Sequence, residues 1–213
     1  MPDLKLNDKY EQAFTVTGTV YEGFKQIFKD EDSVKQLIKE QITVLNPDIL
    51  INNADSGAFM KAHFHKTPPG DFLSEFQENV IPTIIITQAA INCFRKKKSG
   101  KIITVLTSAL LNIPPAAASV YVANKAYLAQ LSKVWAAENA RYHITSNTVS
   151  PAFMQTSFTK SMDERIIEQI KENHPLKKIL TTNEVADTVF FLVQASEQVN
   201  GIDIVINAAA TIK

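Results

Sequence analysis

Short apolar runs alternate with segments of helical periodicity along this chain, and this alternation constrains the fold more than any other feature. Four segments are predicted to be buried strands: PDILI, GKIITVL, HITSNTVS and DIVI. Continuously apolar strands are covered on both faces, as in parallel sheets whose crossover connections are helices. The pattern therefore predicts an α/β fold, with one parallel sheet and helices on both of its faces.

The segments between the strands are predicted to be helices. The first, 30–45, begins with capping residues, and its apolar residues then recur at helical spacing: Val34, Leu37, Ile38, Ile42 and Leu45. The others cover about 71–95, 119–141, 161–172 and 183–195. With 213 residues, 45% of them apolar, the chain is expected to form one domain over 1–213, in which 1–23 is an atypical N-terminal segment.

The charge balance and the apolar runs argue against several classes of partner. The formal net charge is zero, which gives no reason to expect nucleic acid or an anionic membrane as a partner. The polar N-terminus does not resemble a signal peptide, and the longest apolar stretch, VIPTIIITQAAINCF, is too short to span a bilayer. The single cysteine, Cys93, fits a reducing compartment. A cytoplasmic protein is therefore expected.

The segment YVANK places Tyr121 and Lys125 four residues apart on a predicted helix. At this spacing both side chains lie on one face of the helix. A phenol has a reference pKa of about 10, and a nearby ammonium lowers the pKa because it favours the phenolate. The pair can therefore serve as a general acid and base. Taken alone, however, such a pair is more often an ordinary surface pair.

Polar residues follow three of the predicted strands. The stretch NNAD comes after DILI, Ser108 follows GKIITVL thirteen residues before Tyr121, and Pro151 begins the turn after HITSNTVS. Open α/β sheets build their sites at the carboxyl ends of the strands. These positions predict a site at that edge, where the Ser108 hydroxyl can hold a substrate carbonyl.

Together these segments resemble the short-chain dehydrogenase/reductase family. The resemblance covers roughly 24–207. It rests on seven pieces in the family's order: DILINNA, ENVIPTIIITQAA, GKIITVLTS, YVANKAYLAQLSK, ITSNTVSPAFMQT, NEVADTVFFL and NGIDIVINAA. It implies a Rossmann-like fold, NAD or NADP as the cofactor, and a small carbonyl compound or secondary alcohol as the substrate.

The resemblance also implies a catalytic tetrad of Asn79, Ser108, Tyr121 and Lys125. Tyr121 would give a proton to the substrate oxygen, and Ser108 would orient that oxygen. Lys125 would lower the tyrosine pKa and bind the nicotinamide ribose, while Asn79 would hold a water. The implied cofactor-binding residues are Asn53, Ala54, Tyr121, Lys125, Pro151, Met154 and Thr156.

Two further positions bear on this site. Pro82 cannot donate a hydrogen bond to the carbonyl of Glu78, so the helix is expected to bend beside Asn79. Without the family resemblance, Asn79 would be interpreted as a capping or surface residue. His63 and His65 form an HxH pair, but no third ligand lies at a useful spacing, so no metal is expected.

The N-terminal part departs from the family, although VTGTVYEG, residues 16–23, has the threonine and glycines of a phosphate-binding turn. Gly18 precedes Asn52 by only 34 residues, too few for a crossover helix and two strands besides the helix at 30–45. We therefore expect that this stretch is not the nucleotide loop, that the first βαβ unit is missing, and that 14–28 holds the family's third strand. Asp55 also replaces a glycine of the family.

Two functions stay open at this point. The first is an oxidoreductase that uses the tetrad. The second is a catalytically impaired scaffold or partner subunit without independent cofactor binding, which the missing phosphate turn favours. The helices near 72–94 and 119–141 correspond to the family's interface helices and are rich in small and apolar residues. In either case a homodimer or homotetramer is expected.

Overall fold

The structure is a computed structural model that describes residues 42–55, 59–111, 113–154, 156 and 162–210. The stretch VTGTVYEG, the whole segment 1–23 and all of the first predicted helix before residue 42 lie outside the described residues. Residues 42–45, the end of that predicted helix, are helical. The missing first βαβ unit therefore stays a prediction.

The four predicted strands form one fully parallel sheet, which confirms the predicted fold class. In the order in which they lie side by side, they are β1 (Ile49–Asn52), β2 (Gly100–Val105), β3 (Ile144–Pro151) and β4 (Asp203–Ile206). Each connection between consecutive strands contains at least one helix, as parallel pairing requires. All carboxyl ends of the strands consequently lie at one edge of the sheet.

The helices between the strands agree with the predicted ones to within about three residues at each end. They are α1 (Pro69–Glu75), α2 (Ile81–Lys97), α3 (Ser119–Asn139), α4 (Glu164–Asn173) and α5 (Thr182–Gln194). A π-helical turn, Phe76–Val80, joins α1 to α2 and makes them one long helical segment. Short 3-10 turns cover Phe64–Lys66, Ser108–Leu110 and Ala140–Tyr142. Among the described residues, no helix has the length and apolar character needed to cross a membrane.

The sheet is covered on both faces, as its apolar strands predicted. On one face, alternate strand residues pack against α5, in a cluster of Ile49, Ile103, Val149, Val185, Leu192 and Val193. On the other face, the intervening residues pack against α2 and α3, in a cluster of Leu50, Ala90, Phe94, Ile102, Trp135 and Ile144. This alternation follows from the period of two along each strand. The two layers hold the strand ends in a fixed register.

The ends of α5 and α2 show how local sequence sets the helix boundaries. Thr181 and Glu184 form a reciprocal capping box at the start of α5, which satisfies two backbone N–H groups that have no partner in the helix. The helix α2 ends at Lys97, and the capping residue Lys98 has a φ of 52°, in the left-handed region. Three basic residues in its last turn, Arg95, Lys96 and Lys97, suit the negative end of the helix dipole.

Candidate active site

Segments that follow β1 and β2 meet the first half of α3 at the carboxyl edge of the sheet. The strand register pairs Asn52 with Thr104 and Val105 with Val149, and the N–H of Leu106 still donates to the carbonyl of Val149 at 2.8 Å. The chain beyond each strand therefore starts at the same edge. This edge is where the sequence predicted the site.

Lys125 lies buried at the centre of a cluster of side chains at this edge, together with Asp55 and Tyr121. The residue is 6% exposed, and its Nζ donates to the carbonyl oxygen of Val105 at 3.0 Å. The same Nζ forms an ion pair with Oδ2 of Asp55 at 2.9 Å. It lies 5.8 Å from the centroid of the Tyr121 ring, one helical turn earlier on α3. The predicted helical pairing of Tyr121 and Lys125 is therefore present, with a carboxylate as a third member.

Tyr121 is packed between apolar and polar neighbours. The ring of Phe59 meets it edge to face, with the ring centroids 5.1 Å apart and the planes at 76°. The side chains of Thr107 and Tyr121 are hydrogen-bonded. Burial raises the pKa of Tyr121 above its usual value, and the charge of Asp55 adds to this, whereas Lys125 and the hydrogen bond from Thr107 act to lower it. The lowering effect expected from Lys125 is therefore present, but burial outweighs it.

Thr107, which the sequence reasoning missed, also lies beside Tyr121, and the predicted role of Ser108 stays a prediction. Thr107 is buried, and its Oγ1 accepts a hydrogen bond from the N–H of Ala109 at 3.2 Å. Ser108 is the next residue along and begins the 3-10 turn. Ser108 was predicted from its spacing of thirteen residues to Tyr121. The position directly after the predicted strand GKIITVL, which ends at Leu106, would have pointed to Thr107 as well.

Asn79 lies in the π-helical turn and is buried. Its main-chain oxygen accepts a hydrogen bond from Oγ1 of Thr83 at 2.8 Å. The helical irregularity expected from Pro82 is thus present as a π-helical turn that ends two residues before the proline. Such turns redirect backbone carbonyls that an α-helix would use internally.

A cavity lies between the end of β1 and the start of α2. It is lined by Leu50, Ile51, Asn52, Asn53, Ala54, Glu78, Asn79, Pro82, Thr83 and Ile86. It brings together three of the predicted site residues, Asn53, Ala54 and Asn79. The described residues that line it do not include Tyr121 or Lys125.

Asn52 ties the end of β1 to its neighbours. Its Nδ2 donates to Oγ1 of Thr87 on α2 at 3.1 Å and to Oγ1 of Thr104 on β2 at 3.4 Å. Both threonine side chains are buried. The amide therefore fixes where the following residues, Asn53 to Asp55, leave the sheet.

The segment after β1 is also held at its far end, near Phe59. The N–H of Lys61 donates to the carbonyl of Ala117 at 3.0 Å, and the Lys61 ammonium forms an ion pair with the buried Glu75. The hydrogen bond with Glu75 raises the pKa of Lys61. These contacts anchor the segment both to α1 and to the chain just before α3, which carries Tyr121.

The remaining predicted cofactor-binding residues follow β3. Pro151 is the last residue of the strand and is buried. Met154 forms an isolated parallel bridge with Leu180 and packs against the core under α5. Thr156 is half-buried. Their predicted contacts with a cofactor stay predictions.

The HxH pair shows no sign of a metal site. The rings of His63 and His65 are tilted, with centroids 6.2 Å apart. In the part of the chain that the structure describes, no group of three or more His, Cys, Asp or Glu side chains could hold a metal ion.

The parallel sheet and its helical layers define a Rossmann-like α/β protein, and the Tyr121–Lys125 pair lies at the carboxyl edge of its sheet. A family model described as enoyl-(acyl carrier protein) reductase matches residues 28–211. The chain belongs to the short-chain dehydrogenase/reductase family.

Relatives with assigned names share about a quarter to a third of their residues with the chain. The 3-oxoacyl-(acyl-carrier-protein) reductase FabG of Thermotoga maritima is 27% identical over 180 residues, which cover 82% of this chain and 72% of that protein. The acetoacetyl-CoA reductase of an Acinetobacter strain is 30% identical over 146 residues, which cover 68% of this chain and 58% of that protein.

Solved structures at lower identity share the fold. A gluconate 5-dehydrogenase from Burkholderia cenocepacia, in complex with NADP and tartrate, superposes with a TM-score of 0.76 at 22% identity, covering 90% of this chain and 80% of that one. A xylitol dehydrogenase with bound NAD+ gives a TM-score of 0.74 at 22% identity, covering 85% and 76% of the two chains.

Proposed function

We propose that the protein is an NAD- or NADP-dependent oxidoreductase that reduces a carbonyl compound or oxidises a secondary alcohol. The main support is the cluster of Tyr121, Lys125 and Thr107 at the carboxyl edge of the sheet, with a hydroxyl hydrogen-bonded to the tyrosine and an ammonium 5.8 Å from its ring. Relatives named as 3-oxoacyl and acetoacetyl-CoA reductases support the reaction class.

The residues present fit the nicotinamide end of such a cofactor. An ammonium has three donors, and Val105 and Asp55 engage the Lys125 ammonium. We infer that a ribose hydroxyl takes a further donor. Asn53 and Ala54 border the cavity beside this point, and Pro151, Met154 and Thr156 follow the neighbouring strand end.

When bound, the cofactor supplies or accepts the hydride. In reduction, Tyr121 gives its phenolic proton to the substrate oxygen as negative charge develops there. Ser108 orients that oxygen, as predicted, while the Thr107 hydroxyl stays hydrogen-bonded to Tyr121. Asn79 is proposed to hold a water that returns a proton to the tyrosine. In oxidation each proton moves in the opposite direction.

A second function has one observation in its favour. The Lys125 ammonium is already paired with Asp55, which stands where the family has glycine. An ammonium held in this way has less to offer a ribose. A catalytically impaired scaffold or partner subunit, without independent cofactor binding, is therefore the alternative, and the predicted loss of the first βαβ unit would favour it as well.

The test compares two tyrosines on the same helix. Tyr121→Phe removes the transferable proton and keeps the ring, whereas Tyr127→Phe makes the same change at a residue that is 46% exposed. With NADH or NADPH and a panel of ketones that includes β-ketoacyl thioesters, we expect Tyr121→Phe to lower kcat by about 10²-fold or more and Tyr127→Phe to leave it unchanged. Equal kcat values for Tyr121→Phe and the wild type would refute the proposed role of Tyr121. No turnover by the wild type would favour the scaffold.

We also propose that the chain forms one domain and assembles as a homodimer or homotetramer through α2 and α3. The solvent face of α3 carries an exposed stripe of small and apolar residues at helical spacing: Ala123, Tyr127, Val134 and Ala137. Such a stripe permits close packing against a second helix. Light scattering at tens of micromolar should give at least twice the monomer mass, and a monomer would contradict the assembly.

A further inference from the structure

Asp55 brings a carboxylate into the acid–base cluster. It lies three residues after the end of β1, and its Oδ2 lies 2.9 Å from Nζ of Lys125, with the Asp55 and Lys125 side chains 21% and 8% exposed. The segment that carries it continues to Phe59, whose ring contacts Tyr121. The ion pair is therefore part of the packed surroundings of Tyr121 and differs from an ordinary surface pair.

The ion pair changes what Lys125 can do for Tyr121. An ammonium near a phenol favours the phenolate, and a carboxylate near it disfavours the phenolate. In a partly buried place both effects are stronger than in bulk water. Asp55 therefore offsets the charge of Lys125 and also, with the Val105 carbonyl, holds the ammonium in place.

We propose, on the basis of the oxidoreductase function above, that Asp55 is a positioning residue that holds Lys125 and offsets its charge, so that Tyr121 keeps its proton and serves as a proton donor. The charged groups that act on Tyr121 are Lys125 on its own helix and Asp55 after β1; after β2, Thr107 contributes a neutral hydroxyl. From the segment after β1, Phe59 contributes an apolar ring.

Loss of the Asp55 charge should change the pH dependence of both directions of the reaction. Reduction needs the phenol form of Tyr121, and oxidation needs the phenolate. Removal of the Asp55 charge lowers the pKa of Tyr121, so the phenolate forms at a lower pH. Alcohol oxidation should then begin at a lower pH than in the wild type, and carbonyl reduction should also decline at a lower pH.

The experiment measures the titration of Tyr121 directly and needs neither cofactor nor substrate. Tyrosine labelled with ¹³C at Cζ is followed by NMR as the pH rises, and the Tyr121 signal is assigned with Tyr121→Phe. Asp55→Asn removes the charge with little change in size. The matched control is Asp48→Asn, since Asp48 forms an ion pair with Lys97 at 2.6 Å just before β1, at the opposite end of the strand.

We expect Asp55→Asn to lower the pKa of Tyr121 by about one unit and Asp48→Asn to leave it unchanged. An unchanged pKa in Asp55→Asn, or the same shift in both variants, would overturn the proposal. Asp55→Ser is measured in parallel in case the asparagine variant does not fold, with the same shift expected. Turnover is assayed separately, so a chain that reduces no ketone contradicts the oxidoreductase function while the titration still decides the role of Asp55.

Discussion

The Asn52 amide gives the sharpest stability prediction, because it serves two buried hydroxyls at the start of the segment that leads to Asp55. Thr87 and Thr104 are 0% and 1% exposed, and both accept from Nδ2 of Asn52. Asn52→Ala removes both interactions and leaves the two hydroxyls without this donor. The hydrogen bond at 3.1 Å to Thr87 should dominate, since the one at 3.4 Å to Thr104 is near the limit of useful length.

The expected loss of stability follows from these contacts. A buried polar group that loses its partner costs about 1–3 kcal/mol, so Asn52→Ala should lower the free energy of unfolding by roughly that amount. In a Thr87→Val background the same change should cost about 1 kcal/mol less, because the hydroxyl has already been removed. The control is Asn53→Ala, which changes the exposed neighbour and should stay within about 0.5 kcal/mol of the wild type.

Urea unfolding followed by circular dichroism measures the wild type, the three single variants and the double variant. A fall in the midpoint without a change in slope reports a loss of stability alone. Equal small losses in Asn52→Ala and Asn53→Ala would refute the anchoring role of Asn52. So would a full loss for Asn52→Ala in the Thr87→Val background.

Two further predictions concern packing and pH. A Cβ on Gly100 would lie 2.2 Å from Cγ of Phe94, whereas a Cβ on Gly70 would meet nothing within 4 Å. Gly100→Ala should therefore lower the free energy of unfolding in urea by about 1–3 kcal/mol, and Gly70→Ala should leave it unchanged. Equal effects of the two substitutions would contradict the close packing of Gly100 against Phe94. The hydrogen bond from Lys178 leads the effects that lower the pKa of Glu184 from 4.5 to about 2. A carboxylate whose pKa is lower in the folded protein than in the unfolded chain stabilises the fold above the unfolded pKa, and this stabilisation is lost as the pH falls through the folded pKa. The difference in Tm between Glu184→Gln and the wild type should therefore shrink from pH 4.5 down to about 2. A constant difference would contradict this.

The strands and helices were predictable because each rests on local patterns. The run ITSNTV and the helical spacing around Tyr121 carry their periods in the sequence itself. The spacing of Tyr121 and Lys125 also predicted their shared helix face. These features depend on neighbours within a few residues, and the structure agrees with them.

The rest of the site depends on contacts between distant segments. Asp55 was identified as a departure from the family, but its ion pair with Lys125 joins residues on either side of β2 and α2. The hydrogen bond between Thr107 and Tyr121 depends on how the chain between β2 and α3 returns to Tyr121. The net direction of the Tyr121 pKa depends on burial beneath Phe59 and its neighbours, which a four-residue motif does not contain.

The central claim is that this chain binds a nicotinamide cofactor at the Tyr121–Lys125 cluster, and direct titration tests it. Nicotinamide fluorescence of NADH and NADPH is the suitable signal, because Trp135 is buried in the core between α2, α3 and the sheet. We predict saturable binding of at least one cofactor at micromolar concentrations, weakened at least about tenfold in Lys125→Met, which corresponds to about 1.4 kcal/mol. No saturation with either cofactor up to millimolar concentrations, or equal binding by Lys125→Met, would contradict the claim.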